Sequence, residues 1–111
     1  MGMWMDEGSE PYERNGAFVL PLGGEFDVGN TADLERILAS APDARQLLVV
    51  DLSKTGYIDS SVLAVLIRLK RSRGENLRLV VPMDSKVRLI FEVAGLLEVL
   101  DVSDDLESIF P

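Results

Sequence analysis

The arrangement of apolar and polar positions predicts a central strand followed by a buried helix. Leu47 to Val50 is a continuous apolar run, which is typical of a strand covered on both faces in a parallel sheet. A polar segment, Asp51 to Gly56, separates this run from the mostly apolar stretch Val62 to Leu69. Several cations and then Gly74 follow the second stretch. Because cations and a glycine stop suit a helix C-terminus, we expect a buried helix here.

The chain before this unit predicts a hairpin at the edge of the sheet. Tyr12 to Arg14 and Ala17 to Leu22 are short extended candidates, joined by Asn15-Gly16. An Asn-Gly pair favours the positive φ angles of a tight type I′ turn. Pro11 and Pro21 lack the backbone donor of a sheet ladder, which is why we expect an edge position or irregular pairing.

A bend and a first helix are predicted between the hairpin and the central strand. Gly23 to Asp27 has the conformational freedom of a bend. Asn30 or Thr31 is suited to cap a helix that runs to about Ser40. Ala41-Pro42-Asp43 should end this helix, since a residue that precedes proline disfavours the helical conformation.

The chain after the central unit predicts a further strand and a further helix. Leu77 to Val81 is a short apolar run that Pro82 stops. Asp84 or Ser85 can cap a helix, and Gly95, followed by an apolar residue, has the form of its left-handed C-terminal stop.

The last part of the chain completes an α/β pattern. Leu97 to Val102 is a candidate strand, and Ser103 is placed to cap a closing helix, Asp104 to Ile109. An edge hairpin followed by alternating helices and strands predicts a single α/β domain with a mixed, mostly parallel sheet and about four helices. We expect residues 1–8 to be a flexible N-terminus and residues 9–111 to form the domain.

Composition narrows the classes of function. The chain has 111 residues, a formal net charge of -8, no cysteine and no histidine. Without these residues there is no disulfide, no thiolate or imidazole metal ligand and no histidine base. The negative charge disfavours direct nucleic-acid binding, which requires a basic face. No apolar run approaches the roughly 18 residues that would insert in a membrane, and the N-terminus lacks the pattern of a signal peptide. We therefore expect a cytoplasmic protein without a metal or cofactor.

Two other classes are also disfavoured. No phosphate-binding or dinucleotide-binding glycine pattern is present, so we expect no enzyme and no catalytic residue. Asp51, directly after the central strand, is placed like the phosphate-accepting aspartate of a receiver domain. A receiver also needs an acidic pair after its first strand, and residues 17–22 contain none. The simpler interpretation is that Asp51 begins a loop.

Asp59-Ser60-Ser61 is the strongest candidate for a functional site. The two serines fall where a loop at the carboxyl edge of the sheet turns into the buried helix, which is the usual functional edge of an α/β fold. The hydroxyls suit helix caps, as in any helix. A helix N-terminus also accepts added negative charge, so a phosphorylated serine would be tolerated there and would change what the surface binds.

The chain resembles the STAS domain, which is shared by sulphate transporters and bacterial anti-sigma factor antagonists. The resemblance covers about Glu10 to Ile109, and four motifs carry it in order and spacing: Gly24–Asp27, Leu48–Ser53, Ile58–Ser61 with Leu63 after it, and Phe91–Leu96 with its glycine at position 95. The short chain looks like the free-standing antagonist type.

The resemblance implies a partner-switching regulator of transcription. An unmodified antagonist binds an anti-sigma factor serine kinase and so releases a sigma factor. The kinase then phosphorylates the first serine after the aspartate, here Ser60, and a serine phosphatase resets the protein. By the same resemblance Asp27 lies near Ser60 on the kinase-facing surface, Asp59 and Ser61 flank the phosphate, and Lys54-Thr55 borders the site.

Val62 departs from the pattern of the family, which usually has glycine directly after Asp-Ser-Ser. A β-branched residue adds bulk and restricts the backbone, so we expect Val62 to influence the choice of partner or to make Ser60 a poor substrate. The alternative function is therefore a constitutive docking module, a STAS subunit of a membrane transport complex that is indifferent to kinases.

Overall fold

The computed structural model describes residues 10–41 and 43–110. The seven strands are β1 (Tyr12–Arg14), β2 (Ala17–Pro21), β3 (Gly24–Phe26), β4 (Leu48–Asp51), β5 (Thr55–Ile58), β6 (Leu77–Val80) and β7 (Val102–Ser103). The three α-helices are α1 (Thr31–Ala39), α2 (Ser60–Arg73) and α3 (Arg88–Val93). Two short 3-10 helices, Gly74–Asn76 and Leu106–Ser108, complete the described elements. The predicted flexible segment 1–8 and Pro42, the middle residue of the predicted helix stop, fall on undescribed residues, and the predicted domain boundaries stay predictions. Helix α1 ends at Ala39 with Ser40 as its C-cap, close to the predicted end at about Ser40.

The main sheet has five strands in the order β1-β2-β4-β6-β7. β1 pairs with β2 antiparallel, and the other three pairings are parallel. The mixed, mostly parallel sheet is thus confirmed. The predicted hairpin is also confirmed, because β1 lies at the edge and Asn15 (φ 52°) and Gly16 (φ 84°) both take the positive angles of a type I′ turn.

A second sheet was not predicted. β3 and β5 pair in parallel as a separate two-stranded sheet. β3 lies in the predicted bend, and β5 begins within the predicted polar segment and continues two residues beyond it. Only Phe26 and Ile58 at the strand ends, with Thr55 at the start of β5, bury their side chains. Strands of three and four residues are too short to show an alternating pattern. This small sheet leads directly into Asp59.

The two faces of the main sheet are covered differently. All three helices pack on one face, where the main core includes Leu48, Val50, Leu66 and Phe91. The C-terminal segment covers the other face, where Phe110 packs with a small cluster of strand residues. The Arg14 guanidinium lies 4.7 Å from the centroid of the Phe110 ring, a cation–π geometry.

Three predictions about helices need correction. The closing helix expected over Asp104 to Ile109 is only the 3-10 turn Leu106–Ser108, capped by Asp105. Ser103, its expected cap, lies in β7, where its side chain is buried. The described residues therefore contain three α-helices rather than about four.

The predicted glycine stop of α3 is confirmed. Gly95 has a φ of 70°. Its N–H donates to the Glu92 carbonyl (3.1 Å), and the Leu96 N–H donates to the Phe91 carbonyl (2.9 Å). These two bonds form a Schellman motif. The start of α3 differs from the prediction, because Val87 rather than Asp84 or Ser85 occupies the N-cap position.

Candidate functional site

Asp59 begins α2 and caps it. Its backbone is extended (φ −119°, ψ −175°), and its Oδ1 accepts hydrogen bonds from the backbone N–H groups of Ser61 (3.0 Å) and Val62 (3.3 Å). A carboxylate at the N-cap satisfies helix donors that would otherwise lack partners. The expectation that one of the two serines caps the helix is therefore wrong, since both lie within its first turn.

The same carboxylate also holds a loop from the small sheet. Asp59 Oδ2 accepts a hydrogen bond from the Val28 N–H (3.0 Å), a residue 31 positions earlier in the chain. The start of α2 is thus bonded to the turn that follows β3. The prediction that Asp27 lies close to Ser60 rested on the resemblance. The hydrogen bond described above joins Val28, the residue after Asp27, to Asp59, the residue before Ser60.

The turn from Asp27 to Asn30 has its own internal hydrogen bonds. Asp27 Oδ1 accepts from the Gly29 N–H (2.8 Å), while Asn30 Oδ1 accepts from the Asp27 N–H (2.8 Å). The Asn30 amide donates to the Glu25 carbonyl (3.0 Å). Asn30 occupies the N-cap position of α1, but its side chain makes no capping bond there. The expected cap is replaced by bonds that order the turn.

The two serines differ in exposure and in hydrogen bonding. The Ser61 side chain is partly buried, and its hydroxyl donates to Asp59 Oδ1 at 2.5 Å. Ser60 is exposed, and its hydroxyl makes no hydrogen bond to any side chain or backbone group in the described part of the chain. Ser60 is therefore the serine whose hydroxyl is free to meet another molecule.

Hydrogen bonding changes the acidity of Asp59. The Ser61 hydroxyl, the largest influence, and the N–H groups of Val62, Val28 and Ser61 lower the pKa of the Asp59 carboxyl below its ordinary value of 3.8. All of these donors favour the charged form. Asp59 is thus a carboxylate near neutral pH, and a weak base.

The structure places the remaining predicted site residues in two groups. Lys54 is exposed, one residue before β5, and its carbonyl accepts from the Gly24 N–H (3.1 Å). Thr55 is only 4% exposed, and its hydroxyl donates to the Leu22 carbonyl (2.7 Å). Val62 is 2% exposed and belongs to the main core. Neither Thr55 nor Val62 offers its side chain to a partner on the surface of the free protein.

The burial of Val62 also bears on its expected effect on Ser60. Its side chain packs inward from the first turn of α2, whereas the Ser60 side chain is exposed. The added bulk therefore fills the core rather than the surface beside the hydroxyl.

Two exposed apolar residues beside Asp59 were missed. Val28, whose N–H bonds to Asp59, is 76% exposed, and Tyr57, two residues before Asp59, is 48% exposed. Tyr57 pairs in register with Glu25 on the outward side of the small sheet. Single apolar residues in polar segments give no periodic signal, so only the fold identifies them. We call Asp27, Val28, Tyr57, Asp59 and Ser60 the Ser60 surface.

Asp51 has a local structural role at the end of β4. Its Oδ1 accepts a hydrogen bond from the Ser53 N–H (3.0 Å), as expected of a residue that starts a loop. Among the described residues, no group of three or more acidic side chains is arranged to hold a metal ion. No described helix is long and apolar enough to cross a membrane.

Comparisons with known proteins agree with this architecture. The family model described as "Mlab, STAS domain" matches residues 12–102. An anti-sigma factor antagonist from Mycobacterium paratuberculosis has a similar structure, with a TM-score of 0.79 and 20% identity over 89% of this chain and 86% of that one. A sulfate transporter family protein from Wolinella succinogenes has a TM-score of 0.66 and 18% identity over 92% of this chain and 88% of that one. No curated protein sequence matches significantly.

Proposed function

Because the chain belongs to the STAS domain family, we propose that it is an anti-sigma factor antagonist that an anti-sigma serine kinase phosphorylates on Ser60. In this proposal the unmodified protein binds the kinase in the bacterial cytoplasm and releases a sigma factor. A serine phosphatase removes the phosphate and restores binding. In this proposed role the protein acts as a binding module rather than as an enzyme, and it uses no metal or cofactor of its own.

The observation that carries the proposal is the exposed, unbonded hydroxyl of Ser60 at the start of α2. Asp59 and the turn at Asp27 hold this position on a helix whose opposite face is buried in the core. A hydroxyl presented on a rigid base is accessible to a kinase without local unfolding. The similarity to an anti-sigma factor antagonist structure supports the choice of partner class.

A phosphate on Ser60 would be compatible with the fold. Ser60 is the first residue of a 14-residue helix, and the positive end of a helix dipole favours added negative charge. The structure itself should therefore survive phosphorylation.

The same phosphate would oppose binding of a partner that covers the Ser60 surface. It would place a second anionic group beside Asp59, close to the exposed apolar side chains of Val28 and Tyr57. Burying those side chains in an interface would then require desolvation of a dianion, and uncompensated burial of charge is costly. Lys54 and Asp27 would border the contact. Val28 and Tyr57 would supply its apolar centre.

The first experiment measures phosphate transfer. The protein is mixed with each anti-sigma-type serine kinase of its own genome, ATP and magnesium, and its intact mass is recorded. We expect one added phosphate on the wild type and on Ser61→Ala, and none on Ser60→Ala. Transfer to none of the three proteins would contradict the proposal.

A binding titration with the same kinase then tests the switch. Ser60→Asp should weaken binding by at least roughly tenfold, the factor that corresponds to about 1.4 kcal/mol, because it adds charge at the contact. Ser61→Asp cannot serve as the control, since it would also disturb Asp59. The exposed Ser72, near the end of α2, provides Ser72→Asp as a matched charge control that should bind like the wild type.

A second candidate function is a constitutive docking module in a membrane transport complex. The matching family model is described as "Mlab, STAS domain", and one similar structure belongs to a sulfate transporter family protein. This candidate predicts a stable complex with a transporter ATPase that Ser60→Ala leaves intact, together with no phosphate transfer from any kinase. The mass measurement therefore separates the two candidates.

A further inference from the structure

Two neighbouring serines raise the question of what selects one of them as the phosphate acceptor. Ser60 and Ser61 are adjacent, chemically identical, and both lie in the first turn of α2. A kinase that reaches one hydroxyl comes within one residue of the other. The difference must therefore come from how each hydroxyl is held.

The Ser61 hydroxyl donates its proton in a hydrogen bond to the Asp59 carboxylate. Phosphoryl transfer requires a serine oxygen to attack the γ-phosphorus of ATP while its proton passes to a base of the kinase. The Ser61 proton points instead to Asp59 Oδ1, at an oxygen–oxygen distance of 2.5 Å in a partly buried position. A hydroxyl in this arrangement must first break a hydrogen bond to a charged acceptor, which is among the stronger hydrogen bonds in proteins.

The carboxylate has little freedom to release Ser61. Asp59 accepts four hydrogen bonds: two from backbone groups of α2, one from the Ser61 hydroxyl and one from Val28 on a different element. Rotation of the carboxylate would disrupt the helix cap and the bond to the Val28 turn together. Nor does Asp59 activate Ser61 as a base, because its donors favour the ionised carboxylate.

We propose that Asp59 directs phosphorylation to Ser60 by holding the neighbouring Ser61 hydroxyl out of reaction. The inference rests on the proposed function, since it assumes a serine kinase and ATP as phosphate donor. In the transfer, a bond forms between Ser60 Oγ and the γ-phosphorus and the β–γ phosphoanhydride bond breaks. The hydroxyl proton passes to the base of the kinase, and ADP leaves. Asp59 touches none of the reacting atoms and is a positioning residue.

The test resolves the position of the phosphate by peptide mass spectrometry, with the kinase that labels the wild type in the assay above. Asp59→Gly removes the carboxylate but keeps a residue that is tolerated at an N-cap. We expect its share of phosphate on Ser61 to rise roughly tenfold, the factor that corresponds to one released hydrogen bond. A merely structural role would lower labelling at both serines in proportion, and would leave the ratio unchanged.

Asp105→Gly is the matched control. Asp105 caps the 3-10 helix Leu106–Ser108 and holds a serine in the same way, through the backbone N–H (2.9 Å) and hydroxyl (2.8 Å) of Ser108. Removal of this carboxylate should leave the Ser60 to Ser61 ratio as it is in the wild type. A ratio that changes equally in both variants would overturn the inference, because the change would then reflect general destabilisation.

Ser60→Ala tests the same inference without changing Asp59. If Asp59 withholds Ser61, this variant should receive no phosphate, and Asp59→Gly combined with Ser60→Ala should receive it on Ser61. Phosphate on Ser61 of Ser60→Ala alone, at the level that the double variant reaches, would overturn the inference but leave a kinase-regulated protein. No phosphate on any variant would refute the proposed function and the inference with it.

Discussion

Two aspartates in this chain make nearly the same local structure at very different places in the fold. Asp59 caps the 14-residue α2, and Asp105 caps the three-residue 3-10 helix near the C-terminus. Each has an extended backbone, and each accepts from the N–H and the hydroxyl of a serine two or three residues later. In both, the serine hydroxyl is the main cause that lowers the pKa of the carboxyl.

What separates them is the connection of each cap to the rest of the molecule. Asp59 also accepts from Val28, which joins two elements distant in sequence, and a second, exposed serine stands beside it. Asp105 makes side-chain hydrogen bonds only within its own turn in the described structure. Local Asp–Ser chemistry therefore indicates a helix start. In the proposed function, the Ser60 site additionally depends on the long-range link and the free hydroxyl.

The largest expected effect is a loss of stability when the buried side chain of Val62, in the first turn of α2, is removed. Val62→Gly installs the residue that the resemblance to the STAS family leads us to expect there, but it removes a side chain that is 2% exposed in the core. We expect a loss of about 3 kcal/mol, from burial of a valine plus the helix cost of glycine. Urea denaturation measures it.

Ala64→Gly, at an exposed position two residues later in α2, controls for the effect of glycine on the helix alone. It should cost about 1 kcal/mol. Equal losses in the two variants would mean that the Val62 side chain contributes no packing energy. Val62 would then act at the surface beside Ser60, and not in the core.

The sequence could predict the parts of the fold that depend on local pattern, but not those that depend on contacts between distant segments. The apolar stretch of α2, the type I′ hairpin and the glycine stop of α3 were predictable, because each depends on local pattern or on the φ of one residue. The small sheet of β3 and β5 was not, since it pairs two short segments about 30 residues apart. The closing helix was overestimated because its early acids and one capping serine gave a helix signal that tertiary structure limits to a single turn.

The second largest effect is the difference between the stability that the Asp59 cap contributes and the stability that the Asp105 cap contributes. We expect Asp59→Ala to lower the urea midpoint more than Asp105→Ala does. The first variant leaves donors of a long core helix and the Val28 N–H without their acceptor, and the second affects only one terminal turn. Asp59→Asn, which keeps a capping oxygen, should lie between Asp59→Ala and the wild type. A larger loss for Asp105→Ala would contradict the view that the long-range link distinguishes Asp59.

The candidate site was also predictable only where it depends on local sequence. The tripeptide Asp59-Ser60-Ser61 and its place before an apolar helix could be recognised in the sequence. The sequence could not assign the cap to Asp59 rather than to a hydroxyl, because all three side chains are suited to that position. Nor could it find Val28 and Tyr57, whose exposure depends on the small sheet.

A pH titration of stability is expected to show a smaller effect, of the same sign for both aspartates. Their folded-state pKa values lie below the ordinary 3.8, so each carboxylate stabilises the folded protein at pH values above 3.8. That stabilisation is lost as the pH falls through the folded-state pKa. The difference in unfolding free energy between wild type and Asp59→Ala should thus stay constant above about pH 5 and shrink toward pH 2. A difference that grows on acidification would contradict the lowered pKa.

The smallest expected effect is also the most direct comparison of the two sites. Ser61→Ala and Ser108→Ala each remove the hydroxyl donor that most lowers the pKa of its aspartate. Asp59 keeps three backbone donors after this change, whereas Asp105 keeps one. We therefore expect the Asp105 pKa to return closer to 3.8 than the Asp59 pKa, as followed by carboxyl carbon chemical shifts in NMR titrations. If both carboxyls returned equally, the bond from Val28 would have no electrostatic weight, and Asp59 would be an ordinary cap beside an exposed serine.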